Sequence, residues 1–125
     1  MRKTFAAAAL ATLLGACASM GSAPMAAKFE GGMLVNSAGM TLYTFDKDAA
    51  GSGKSTCNGQ CAVNWPPLAA SAADSGSGAW SIVVRDDGSR QWAYQGKPVY
   101  LWIKDQKPGD KTGDGVNKVW HVVAR

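Results

Sequence analysis

Two octapeptides, Thr41-Leu-Tyr-Thr-Phe-Asp-Lys-Asp48 and Pro98-Val-Tyr-Leu-Trp-Ile-Lys-Asp105, echo each other 57 residues apart (100 − 43 = 57), and Gly39 and Gly96 keep the same offset. A chain that repeats at a fixed offset is constrained to two copies of one supersecondary unit, each burying its apolar face against the other. The internal spacing of the echo fixes its conformation. Strand side chains alternate, so Tyr43 and Phe45 share one face and Leu42 and Thr44 the other, whereas a helix would set the two rings about 200° apart. Each motif is followed by a polar, Gly-rich loop and a returning tryptophan, Trp65 in the first half and Trp120 in the second.

The remaining segments carry strand and turn signals. Met33 to Val35, a turn at Asn36 to Gly39, and Met40 to Phe45 read as a hairpin. Asp46 to Thr56 is a loop, and Pro66-Pro67 forces an extended exit after Trp65. Residues 69–78, rich in Ala, Ser and Gly, form the linker between halves. Ala79 to Arg85 and Arg90 to Gln95 are strands around Asp86-Asp-Gly-Ser89, where Asp-Gly is a strong hairpin signal. Lys97 to Lys104 is the echo strand, 105–117 a second loop, and Lys118 to Ala124 the closing strand. No helical periodicity appears after the first residues. An all-β domain over 28–125 is predicted, two hairpin or meander units (about 28–68 and 79–125) packed as one small sheet, sandwich or barrel-like domain. A domain of this size buries only around two-thirds of its unfolded surface. Five Trp, three Tyr and three Phe supply large burial per residue in place of long aliphatic runs.

Residues 1–16 read as an export signal: Arg2 and Lys3 precede an apolar run, Phe5 to Leu14, too short to span a bilayer. The run ends in Leu14-Gly-Ala-Cys17, which looks like a lipobox, so Cys17 is the expected lipidation site and acyl chains such as palmitate the membrane contact. The competing reading is an ordinary secretory signal cut at an Ala-x-Ala-like site. Ala18 and Ser19 follow Cys17 without an Asp, which favours the periplasmic face of an outer membrane over inner-membrane retention, and 17–27 reads as a flexible tether. The formal charge of +4 includes Arg2 and Lys3, and the remaining basic residues are scattered singly. That is no nucleic-acid footprint.

Three readings compete for chemistry. The Tyr-aromatic-Asp motif could cage a cation or sugar ring, or its rings could anchor the core while Asp48 and Asp105 accept backbone N–H bonds in the loops after them. With Cys17 assigned to lipid, Cys57 and Cys61 remain as an even pair in an oxidising compartment and should form a disulfide. They could also, with His121, the only histidine, form a thiol redox or copper site. A calcium loop at Asp46 and Asp48, or at Asp105, Asp110 and Asp114, is interrupted by Ala50 and Pro108. No nucleophile elbow or acid pair is visible, so no enzyme and no cofactor is expected.

Taken together, the lipobox, the two motifs and Cys57-Asn-Gly-Gln-Cys-Ala-Val-Asn-Trp-Pro-Pro-Leu68 resemble bacterial predicted lipoproteins known for a Yx(F/W/Y)xxD motif, described also as a secreted repeat of unknown function. The motif falls on Tyr43, Phe45 and Asp48, and again on Tyr100, Trp102 and Asp105. The resemblance implies envelope location and repeat architecture. The expectation is a lipid-anchored binding or structural module, meeting an envelope protein or small ligand, with thiol redox or copper handling by Cys57, Cys61 and His121 as the alternative.

Overall fold

The computed structural model describes residues 24–125. The predicted signal 1–16, the lipidation site Cys17 and tether residues 18–23 lie outside the described residues. Seven short strands carry the fold: β1 (Ala27–Glu30), β2 (Met33–Asn36), β3 (Tyr43–Phe45), β4 (Trp80–Val84), β5 (Arg90–Tyr94), β6 (Lys97–Pro98) and β7 (Trp120–Val122). They form three small antiparallel sheets, β1-β2, β3-β7 and β4-β5-β6, that pack as a sandwich, with no closed barrel among the described residues.

Local chemistry sets the turns. β1 and β2 join through Gly31 and Gly32, both at positive φ (62° and 84°), which glycine adopts without a Cβ clash. Asn36 Oδ1 then accepts from the backbone N–H of Ala38 (3.0 Å) and Met40 (2.9 Å), an Asx turn that reverses the chain. The returning residues bond back to β2, with Leu42 N donating to Leu34 O at 3.0 Å. β4 and β5 pair from Trp80↔Tyr94 to Val84↔Arg90 around the predicted Asp-Gly turn.

Strand exchange relates the halves. β3 leaves its own hairpin to pair with β7 in the second repeat, Tyr43↔Val122 to Phe45↔Trp120. In return Leu101 N donates to Pro66 O (2.7 Å) and Ile103 N to Asn64 O (3.1 Å) in the first repeat. Matching bonds recur in both halves. Leu34 N reaches Val123 O as Trp92 N reaches Leu68 O, each at 2.9 Å. The pseudo-two-fold axis passes between Tyr43 and Tyr100, whose amides exchange bonds of 2.8 and 2.9 Å. Each motif segment thus pairs with the returning segment of the other repeat, and neither unit completes its pairing alone.

Four differences from the sequence reading have physical causes. β1 begins at Ala27, before the predicted hairpin; Ala27 and Phe29 alternate with exposed Lys28 and Glu30, but four residues are too short a run to stand out in the sequence. The echo strand shrinks to β6 plus isolated bridges at Tyr100, because Pro66, Pro67 and Pro98 have no N–H to complete a ladder. A short helix, α1 (Gln60–Asn64), starts within the cysteine ring and runs past it; five residues are too few to show a helical period, and Pro66 follows its end. A 3-10 turn at Val116–Lys118 takes the start of the predicted closing strand.

Two buried clusters result. Leu34, Leu42, Leu68, Trp80, Trp92 and Val99 fill one; Tyr43, Phe45, Cys57, Trp65, Tyr100 and Trp120 fill the other. The second is packed against Gly113, where an added Cβ would lie 2.8 Å from the Trp65 ring and 2.9 Å from the Tyr43 ring. Neither ring can retreat, since Tyr43 is fully buried and Trp65 is stacked on both faces. Gly113→Ala is expected to destabilise the fold by about 1–3 kcal/mol through overpacking, read as a lower denaturant midpoint with an unchanged slope.

Candidate functional site: the crossed motifs and the aromatic column

The side chains of the repeated motif cross the pseudo-axis. Tyr43 Oη donates to Asp105 Oδ2 at 2.6 Å, and Tyr100 Oη donates to Asp48 Oδ2 at 2.5 Å. Each tyrosine therefore serves the aspartate of the other repeat. The second carboxylate oxygen orders the loop after its own strand: Asp48 Oδ1 accepts from Thr56 N and Oγ1 (both 2.7 Å), and Asp105 Oδ1 from Thr112 N (2.9 Å) and Oγ1 (2.7 Å). Tyr43 and Tyr100 are fully buried, Asp48 is 1% exposed and Asp105 8%. With carboxylates filled and phenols buried, the motif presents no open cage to a cation or sugar.

The motif aromatics end a column of stacked rings in the order Phe45, Trp120, Trp65, Trp102. Centroids are 4.3, 3.8 and 4.0 Å apart and neighbouring planes lie within 24°. Tyr43 and Tyr100 meet this column edge-on, against Trp65 at 5.4 Å and Trp120 at 5.2 Å. The period-two spacing of Tyr and aromatic in each motif is what delivers one ring to the column and the phenol to the crossed bond.

The two ends differ in polar support. Tyr43 Oη accepts from Gly113 N at 3.1 Å. Tyr100 Oη shares a 2.6 Å bond with Ser55 Oγ, which also accepts from Arg85 Nη1 at 2.8 Å. Arg85, 5% exposed, donates further to Gln91 Oε1 (2.6 Å), Cys57 O (2.5 Å) and Asn58 Oδ1 (3.3 Å). A buried guanidinium surrounded by neutral oxygens is thereby linked to Asp48 through Ser55 and Tyr100. Burial first, and the bond to a carboxylate second, push both phenols well above the usual tyrosine range.

Cys57 and Cys61 form a disulfide with an S–S distance of 2.03 Å and Cα atoms 5.2 Å apart. Both sulfurs are thus committed to each other. His121 lies on β7 with Nε2 2.9 Å from Asp46 Oδ2, at the surface. Among the described residues no three His, Cys, Asp or Glu side chains come together to hold a metal, so the copper reading is not favoured. The acidic loop residues are engaged locally: Asp110 Oδ2 accepts from Gln106 N (2.8 Å) and Asp114 Oδ1 from Val122 N (3.1 Å). Sequence reasoning missed Thr56 and Thr112, although each follows its motif Asp at nearly the same distance. It also missed Arg85, Gln91 and Ser55, since an arginine at a strand end reads as a solvated charge.

These features define a two-repeat, disulfide-bonded all-β protein interlocked through exchanged strands. The family model described as a secreted repeat of unknown function matches it twice, over residues 26–69 and 81–124, one match per structural half. The chain belongs to that family. No curated protein and no solved structure matches it.

Two outcomes are expected. Tyr43→Phe and Tyr100→Phe each leave a buried carboxylate oxygen short of a donor and should cost about 1–3 kcal/mol, with Tyr100→Phe the larger because its hydroxyl also bonds Ser55, which holds the buried Arg85; denaturant titrations of both variants check the order. The raised phenols favour the folded state below the ordinary tyrosine pKa, and that stability drains away as pH climbs toward the folded-state values. Tyrosinate absorbance followed with circular dichroism should show Tyr43 and Tyr100 ionising only as the fold opens.

Proposed function

We propose that this secreted repeat protein is a lipid-anchored module of the cell envelope, held by acyl chains on Cys17 at the periplasmic face of the outer membrane, and that it acts by binding rather than catalysis. The observation that carries the reading is the inward orientation of the family motif: Tyr43, Tyr100, Asp48 and Asp105 are all buried and bonded to one another or to their own loops. The motif is therefore a scaffold device, and contact with a partner falls to the surface it supports. Interlocked repeats, the short disulfide ring and the stacked column make that surface rigid, which lowers the entropy lost on binding. The lipobox Leu14-Gly-Ala-Cys17 supplies the anchor and the secreted character of the family supports its compartment.

Cys17→Ser separates anchored from free protein. The parent is expected to incorporate labelled palmitate and fractionate with outer membranes, and the variant to lose the label and appear in the soluble periplasmic fraction. Equal membrane association of the two proteins would sink the anchor.

A further inference from the structure

A cleft of about 460 Å³ opens where the two repeats meet, and the scaffold makes no use of it. Its floor is three consecutive members of the column, Phe45, Trp120 and Trp65. Trp120 carries Phe45 on one face and Trp65 on the other, and Trp65 is likewise covered by Trp120 and Trp102. Both indoles can therefore offer the cleft only their edges, the positive side of the aromatic quadrupole.

The walls come from different repeats. Asn64 and Cys61 line it from α1 in the first repeat, and Asn117 and Val119 from the second. Asn64 and Val119 are equivalent in the two repeats, their carbonyls accepting from Ile103 N and Asp46 N. The backbone keeps the pseudo-symmetry here while the side chains abandon it. Gln60 Nε2 donates to Asn64 Oδ1 at 3.1 Å, which leaves the Asn64 amide NH2 as a donor. Lys47 also lines the cleft, and no acidic residue does. Asn117 and Lys118 hold left-handed backbone at φ 52° and 62° without being glycine. Such strain persists where surrounding structure enforces it and collects at ligand sites. The volume and the position between two units match those of small-ligand sites.

We propose that this cleft binds a small carboxylate-bearing ligand, with the Lys47 ammonium and the amides of Asn64 and Asn117 meeting the carboxylate and polar body above a floor of indole edges. The site deepens the binding-module reading and rests on it. Carboxylates of this size come from acidic sugars and from peptide C-termini, and the experiment separates the two sources.

The acylated protein in neutral detergent is titrated with glucuronate and with N-acetyl-alanyl-alanine, using glucose and the dipeptide amide as uncharged counterparts, followed by tryptophan fluorescence and calorimetry. Saturable binding of a carboxylate, about tenfold or more tighter than its neutral counterpart, is expected. A response to glucuronate alone assigns a saccharide, to the dipeptide alone a peptide terminus, and to both the shared carboxylate. Lys47→Ala and Asn117→Gly should each weaken binding about fivefold or more, while Asn117→Gly holds or raises the melting temperature because glycine relieves the left-handed strain. No saturation below about 10 mM, equal binding of the neutral counterparts, or indifference to both substitutions overturns the site. Such a failure leaves Cys17 acylation untouched, whereas loss of acylation bears on the anchor alone.

Discussion

Tyr43 binds Asp105 and Tyr100 binds Asp48, so each half of the molecule holds the other's loop in place. The consequence reaches beyond two hydrogen bonds. Each buried carboxylate takes its own loop's threonine on Oδ1 and the opposite repeat's tyrosine on Oδ2, and an oxygen left short of that donor costs about 1–3 kcal/mol. The same crossing is written in the main chain, where β3 pairs with β7 and the segment after Tyr100 pairs with Asn64 to Pro67. Folding of one repeat is thus conditional on folding of the other, and a single cooperative unit follows from two units too small to bury their own rings.

The pseudo-symmetry is broken at the polar ends, and the break shows where each repeat has specialised. The Asp105 end uses a main-chain donor, Gly113 N, in a loop so close to Trp65 and Tyr43 that no Cβ fits. At the Asp48 end Ser55, Arg85 and Gln91 form a buried network that also grips the Cys57 carbonyl. A disulfide ring this small restricts the unfolded chain by only about 2 kcal/mol. The bond from Arg85 adds what the ring cannot supply, a fixed position for the cysteine loop against the core. Loop and α1 together then form one wall of the cleft above the column.

Legibility in the sequence followed the range of the interactions. The Asp-Gly hairpin, the Asn36 turn and the period-two motif strands were readable because their causes lie within a few residues. β1 and α1 were not, the first because four residues are too short a run of alternation, the second because five residues carry no period. The disulfide was readable from an even pair of cysteines in an exported chain. Arg85 was not, since nothing local distinguishes an arginine that donates to Ser55, Gln91 and Cys57 from one that points into water.

Composition and spacing by themselves determined an all-β chain of two repeats, its aromatic core and its cysteine pairing, because strand alternation, turn chemistry and cysteine parity act over short stretches of chain. Only the tertiary structure decided that the two motifs bond across to each other rather than within themselves, and that Phe45, Trp120, Trp65 and Trp102 join one column. An internal repeat fixes which residues are equivalent but is silent on whether equivalent residues pair within a unit or between units. That choice belongs to the packing of whole strands, in which pairing between repeats buries the rings of both.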